Sequence, residues 1–151
     1  MLARAYGAGH NIGIHTWSHL DLVTLGDDQI VAELVFGAKA ILEVTGGAYP
    51  KYFRPPYGSI DDRVRQLAAT LGLHAVTWSH DTNDWQYVGT GNVGQVPVTV
   101  QDWMNQGANN GISLEHDLYA ETVSVVAQNM DIIFNSGKTI VPLSQCIGDG
   151  D

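Results

Sequence analysis

Apolar positions recur along this chain in two registers. Five short runs have the dense apolar and β-branched or aromatic character of strands, Ile12 to His15, Tyr52 to Arg54, Ala75 to Trp78, Gly111 to Glu115 and Thr139 to Leu143. Helical spacing fills the intervals. Within Asp27 to Thr45, residues Ile30, Leu34, Ala38, Ile41 and Leu42 fall three or four apart, and Gly46-Gly47 supplies the stop. A second helix follows Ser59, whose hydroxyl is placed to cap it, with Asp61 and Asp62 suited to the first-turn dipole. Its inward stripe is Val64, Leu67, Ala68 and Leu71, closed by Gly72. A third helix is predicted over Thr99 to Asn105. A fourth covers Ala120 to Asn135, with Val123, Val126, Ala127, Met130 and Ile133 facing inward. Met1 to Gly9 is also helix-like. Alternating strands and helices predict parallel pairing with crossover helices, hence an α/β sheet or barrel, with chemistry at the carboxyl ends of the strands.

Composition narrows the function classes. With 151 residues and 44% hydrophobic content, the chain is of single-domain size and can bury a core. No run of about 18 apolar residues suggests a membrane span, and no charged-then-apolar leader suggests a signal peptide. Seven Lys plus Arg against 16 Asp plus Glu give a net charge of −9, a surface that repels phosphate backbones and argues against nucleic-acid binding. Cys146, the one cysteine, excludes an internal disulfide and a thiolate zinc site.

The polar residues that follow the strand-like runs form four groups. After the first comes His15-Thr16-Trp17-Ser18-His19, two imidazoles at a spacing that lets both nitrogens reach one metal from a tight turn. The alternative is a histidine capping the strand and another exposed in a loop. After the second comes Arg54-Pro55-Pro56-Tyr57-Gly58, in which two prolines make a rigid extended turn whose amides could face an oxyanion. Taken in isolation, an ordinary strand-to-helix loop with a surface ion pair at Arg54 is the favoured reading. After the third comes Asp81-Thr82-Asn83-Asp84-Trp85, a carboxylate beside an aromatic wall, or simply an Asx turn with a packed Trp. His80 beside it has no partner at metal spacing and reads as a loop histidine. After the fourth comes Leu114-Glu115-His116-Asp117, where His116 has the position of a general acid or of a polar strand end. Four such groups at the same end of successive strands point to one shared active site.

In this order the groups resemble the polysaccharide deacetylases of the NodB-homology type, carbohydrate esterase family four, and among them the fungal chitin deacetylases. The family reads H-[ST]-x-x-H, R-x-P-[YF], D-x-x-D-W and L-x-H. The resemblance implies a distorted (β/α) barrel and hydrolysis of N-acetyl groups on chitin or other N-acetylglucosamine oligomers and polymers. It implies that His15 and His19 are ligands of a divalent metal, usually zinc, and that Arg54 orients the catalytic carboxylate. The Tyr57 backbone amide would hold the oxyanion, and His116 would protonate the leaving amine, oriented by Asp84. Trp85 and Leu114 would wall the acetyl-methyl pocket. A secreted or cell-wall location follows from the same resemblance, and there half of a disulfide replaces a buried apolar thiol as the reading of Cys146.

The family's T-F-D-D segment, which supplies a general base and the third metal ligand, has no counterpart among these residues. About five of seven strand-helix units are therefore expected, as a partial NodB-like domain over 1–151. Without the third, aspartate ligand the metal should bind weakly and activity should be impaired. The first strand would expose an edge, with Ile12 and Ile14 partly uncovered, which favours association. A non-catalytic sugar-binding remnant is the alternative, with Trp17, Tyr57, Trp85 and Trp103 stacking on sugar faces and Trp78 in the core.

Overall fold

The structure, a computed structural model, describes residues 1–108 and 110–149. It comprises two compact units, one formed by Met1–Thr77 with the described residues from Pro142 onward, the other by Trp78–Val141. Among the described residues all strand pairings are parallel and alternate with helices, so the architecture is α/β.

In the first unit a short helix α1 (Leu2–Gly7) precedes the Ile14 segment, followed by α2 (Asp27–Thr45), β1 (Tyr52–Phe53), α3 (Asp62–Thr70) and β2 (His74–Ala75). Ile14 makes an isolated parallel bridge to Phe53, with the Ile14 amide donating to Tyr52 O at 2.9 Å and the Arg54 amide to Ile14 O at 2.8 Å. The predicted strand at Ile12 to His15 is thus reduced to one bridge. Thr16, at φ 63°, turns the chain away and ends the ladder. Strand β1 pairs with β2 in the register Tyr52 to His74 and Phe53 to Ala75. A last helix, α6 (Leu143–Ile147), occupies part of the run expected to be a fifth strand. Pro142 explains the difference: it lacks an amide for a ladder and its φ of −56° leads into a helix, at whose N-cap it stands. Cys146 is exposed on α6.

The second unit holds β3 (His80–Asp81), α4 (Gln95–Asn105), β4 (Ser113–Leu114) and α5 (Ala120–Asn135), with β3 paired to β4 and α4 packed on α5. His80 is therefore a strand residue, not a loop one, and its ring meets Trp103 edge-on at 5.1 Å. Trp78 lies outside the strands, half-buried, with its indole N–H donating to Asp81 Oδ2 at 3.0 Å. Helix α4 begins four residues before the predicted Thr99.

The α2 stripe is as expected: Ile30, Leu34, Ala38 and Ile41 are buried, around them Ile14, Leu22, Phe53, Val64, Ala68 and Leu73. Ile14 is only 2% exposed, so the expectation that it is partly uncovered is corrected, while Ile12 is half-buried. The cap of α3 is Asp61, whose Oδ1 accepts the Val64 amide at 2.8 Å; Ser59 lies too early because Asp62, not Ile60, opens the helix. The face of α5 is also displaced. Thr122, Val125 and Asn129 are buried, whereas Val123 is 48% exposed and Ala127 exposed.

Helix α2 approaches the Ile14 segment closely at Gly37. A Cβ there would stand 2.6 Å from Ile14 Cγ2 and 3.4 Å from the Thr16 carbonyl oxygen. Ile14 is β-branched and buried, so it cannot swing aside. Gly37→Ala is expected to destabilise the chain by about 1–3 kcal/mol despite the better helix propensity of alanine. Urea unfolding checks this, and an unchanged or raised midpoint would contradict the close packing.

Candidate functional site

In the first unit His15 leaves the Ile14 bridge with its ring Nδ1 2.7 Å from the Arg54 carbonyl oxygen. A carbonyl only accepts, so Nδ1–H is the donor and the ring's lone pair lies at Nε2. His19 meets His15 edge-on with ring centroids 4.8 Å apart, and meets Tyr57 on another side at 5.0 Å. The predicted pair is therefore brought together. Arg54 contributes through its backbone, a role that side-chain chemistry read from sequence does not reveal. Beside His15 lies a cleft of about 250 Å³ lined by Ile14, His15, Phe53, Arg54, Val76 and Leu143. A larger cleft of about 550 Å³, bordered by Tyr6, His10, Thr45, Tyr49 and Tyr52, holds none of the motif residues and is not assigned to the site.

Between the histidines the chain is held by side chains. The His19 amide donates to Thr16 Oγ1 at 3.0 Å. The amides of Trp17 and Ser18 both donate to Glu33 Oε2 on α2 at 2.8 Å, and the Ser18 hydroxyl donates to Glu33 Oε1. Burial acts to raise the Glu33 pKa, but the hydrogen bonds from Ser18, Trp17 and Thr16 outweigh it and keep the carboxyl below its ordinary range. Backbone strain collects at the motifs. Among the described residues the non-glycine positions of positive φ are Thr16 (63°), His19 (60°), Tyr57 (59°) and Asn83 (51°), one or two in each of three predicted groups. Each such residue costs on the order of 1–3 kcal/mol and persists only where its surroundings impose it.

The donor chemistry suits a divalent metal in part. Two converging imidazoles, one with its second nitrogen engaged by a carbonyl, fit two ligands of such an ion. Among the described residues no group of three or more His, Cys, Asp or Glu is arranged to hold a metal ion, so no third protein ligand joins them.

In the second unit Asp84 is only 2% exposed and is the centre of a network. Its Oδ2 accepts the His116 amide at 2.6 Å, and its Oδ1 accepts the His116 Nδ1–H at 2.6 Å and the Trp85 amide at 2.9 Å. The expected pairing of Asp84 with His116 is present, and the tautomer follows: an ionised carboxylate only accepts, so Nδ1 carries the proton. Leu114 is buried, and its carbonyl accepts the Thr82 hydroxyl at 2.7 Å. Trp85 and Tyr57 are 53% and 70% exposed, each in its own unit, and Trp17 is 63% exposed; none of the three is core.

Two supporting residues of this unit escape sequence reasoning. Thr122 on α5 donates to His116 O at 2.6 Å and to Tyr119 O at 2.9 Å. Buried Asn129, two turns further on, donates to Glu115 Oε2 at 3.2 Å, while its Oδ1 is buried without a partner. Burial raises the Glu115 pKa, and the Asp84 charge adds to the rise against the hydrogen bonds from Asn129 and Ser113. These polar residues hold the segment carrying His116, which is why α5 turns Thr122 and Asn129 inward in place of Val123 and Ala127. The seven-residue repeat of polar positions at 122 and 129 is the signal in the sequence. Glu33 and Gly37, four apart on α2, are the corresponding pair in the first unit.

Comparison with known proteins agrees with these motifs. The polysaccharide deacetylase family profile matches residues 1–76. Chitin deacetylase 1 of Saccharomyces cerevisiae is 38% identical over 146 residues, covering 95% of this chain and 46% of that protein. The chitin deacetylase of Amylomyces rouxii is 40% identical over 144 residues, covering 91% of this chain and 34% of that protein. The chain thus spans under half the length of these curated relatives. The solved chitin deacetylase of Colletotrichum lindemuthianum superimposes with a TM-score of 0.89 at 28% identity, covering 97% of this chain and 66% of that one. With half the chain matched by the profile and the fold shared with solved members, this chain belongs to the polysaccharide deacetylase family.

Proposed function

We propose that residues 1–151 form part of a NodB-type domain that hydrolyses the N-acetyl groups of chitin or a related N-acetylglucosamine polymer, giving acetate and a free amine. Cell-wall polymer, or polymer outside the cell, is the corresponding substrate. The observation that carries this reading is the buried Asp84 carboxylate holding the His116 ring through Nδ1–H at 2.6 Å. With that nitrogen committed, proton transfer falls to Nε2, so His116 is assigned the delivery of a proton to the departing amine. Asp84 is assigned orientation of the ring and stabilisation of its cationic form. Trp85, which is exposed, and Leu114, which is buried, are assigned the binding of the acetyl methyl.

In the first unit, His15 and His19 would hold a divalent metal, in the first instance zinc, which when bound polarises the acetamide carbonyl and acidifies water. The His15 tautomer set by the Arg54 carbonyl supports that role. Arg54 is further assigned the orientation of a carboxylate. The Tyr57 amide is assigned the oxyanion, and the left-handed backbone at Tyr57, following two prolines, supports it by fixing where that amide points. Without a third protein ligand among the described residues, zinc should be held weakly and turnover of this chain should be low and dependent on added zinc.

Acetate release from N-acetylglucosamine oligomers tests the reading. The purified chain is expected to release acetate in proportion to added zinc, and His116→Ala to lower kcat by about 10²–10⁴-fold with little change in KM. Release that is indifferent to His116, or absent at saturating zinc, would contradict it.

Stability should carry the mark of Glu115. Its folded pKa is raised, so with rising pH the unfolded chain releases this proton first, and folding loses stability from the ordinary carboxylate value up to the folded one. Glu115→Gln, which keeps an acceptor for Asn129, is expected to gain stability relative to the parent between about pH 4 and about pH 7. Denaturant unfolding at both pH values checks the sign; a pH-independent difference would contradict it.

A further inference from the structure

The His15–His19 loop has almost no backbone ladder of its own. After the Ile14 bridge the chain turns through Thr16 at φ 63° and His19 at φ 60°, a conformation that a β-branched residue adopts only when something outside the loop imposes it. What meets the loop is one face of α2. Gly37 on that face lets the helix come within 3.4 Å, at a notional Cβ, of the Thr16 carbonyl. One turn earlier, Glu33 presents both carboxylate oxygens to consecutive residues of the loop. Oε2 takes the two amides of Trp17 and Ser18 at 2.8 Å each, and Oε1 takes the Ser18 hydroxyl. These are donors that an ordinary strand or helix would have satisfied, and they lie between the two imidazoles.

We infer that Glu33 is a positioning residue for the histidine pair: its carboxylate, fixed on α2 and reaching across by a full two-methylene side chain, sets the loop conformation that brings the His15 and His19 rings to 4.8 Å. The inference rests on the reading of these histidines as a metal-holding pair only for its zinc readout. Glu33 acts through the Trp17 and Ser18 backbone. Its effect therefore falls on how well the pair is preorganised, not on the chemistry of the nitrogens. Reach matters as much as charge. Glutamine retains an oxygen for the two amides and an amide group that the Ser18 hydroxyl can accept from, whereas aspartate keeps the charge and falls short by one methylene.

The test compares Glu33→Ala, Glu33→Gln and Glu33→Asp with Glu43→Ala, an exposed glutamate on the same helix, in the full 151-residue chain. Zinc affinity is measured by competition with a chromophoric chelator, and the ring nitrogen resonances of His15 and His19 are recorded without metal. Glu33→Ala is expected to weaken zinc binding about tenfold or more and to shift both sets of ring resonances. Glu33→Gln should recover most of both, and Glu43→Ala should change neither. If Glu33→Ala does not fold, Glu33→Asp decides, with the same losses expected. Parent-like zinc affinity and ring resonances in the folded Ala or Asp variant would overturn the inference. If the parent itself binds no zinc, the metal reading fails by itself, and unshifted ring resonances in the variants would still overturn the role of Glu33.

Discussion

A carboxylate removed from water must find donors, and Asp84 finds three in the residues around it. The His116 amide, the His116 ring and the Trp85 amide all point at its two oxygens. An unpaired buried charge costs several kcal/mol, so this one group constrains everything near it. The ends of β3 and β4 must stay in register for Asp84 and His116 to meet. Helix α5 must turn Thr122 inward to take up the His116 carbonyl, and Asn129 inward to reach Glu115. The cost is visible in the orphaned Asn129 oxygen and in the raised Glu115 carboxyl. A helix face that hydrophobic matching alone would have filled with Val123 and Ala127 is given to polar groups instead.

The first unit solves a similar problem with backbone groups. Here the strained residues are the ones that need support, and they receive it from α2 through Glu33 and from β1 through the Arg54 carbonyl. Burial of Ile14, Phe53, Leu34 and Val64 makes a frame stiff enough to keep left-handed residues at Thr16, His19 and Tyr57. In each unit a histidine ring is held at Nδ1 by an oxygen of another segment, Arg54 O for His15 and Asp84 Oδ1 for His116.

What sequence could read was local. The four motifs, the extent of α2 with its Gly46 stop and the extent of α5 depend on spacing or on short-range caps, whereas the pairing of Asp84 with His116 across 32 positions is implied only by the family resemblance that the motifs carry. What it could not read was set across distance. The strands are two residues long because turns at Thr16 and at the prolines after Arg54 end them, not because the apolar runs do. Thr139 to Leu143 looked like a strand until Pro142 started a helix. The inward face of α5 departs from the hydrophobic pattern because Thr122 and Asn129 answer to Asp84's neighbours, and the part played by Glu33 is not legible locally because its partners lie 15 and 16 positions away.

The buried Asp84 carboxylate fixes which nitrogen of His116 carries the proton. Long-range proton–nitrogen correlation spectra of the His116 ring at neutral pH measure this directly. The expected result is a ring protonated at Nδ1, with a strongly downfield hydrogen-bonded proton slow to exchange with water. A ring protonated at Nε2, with no such proton at Nδ1, would contradict it.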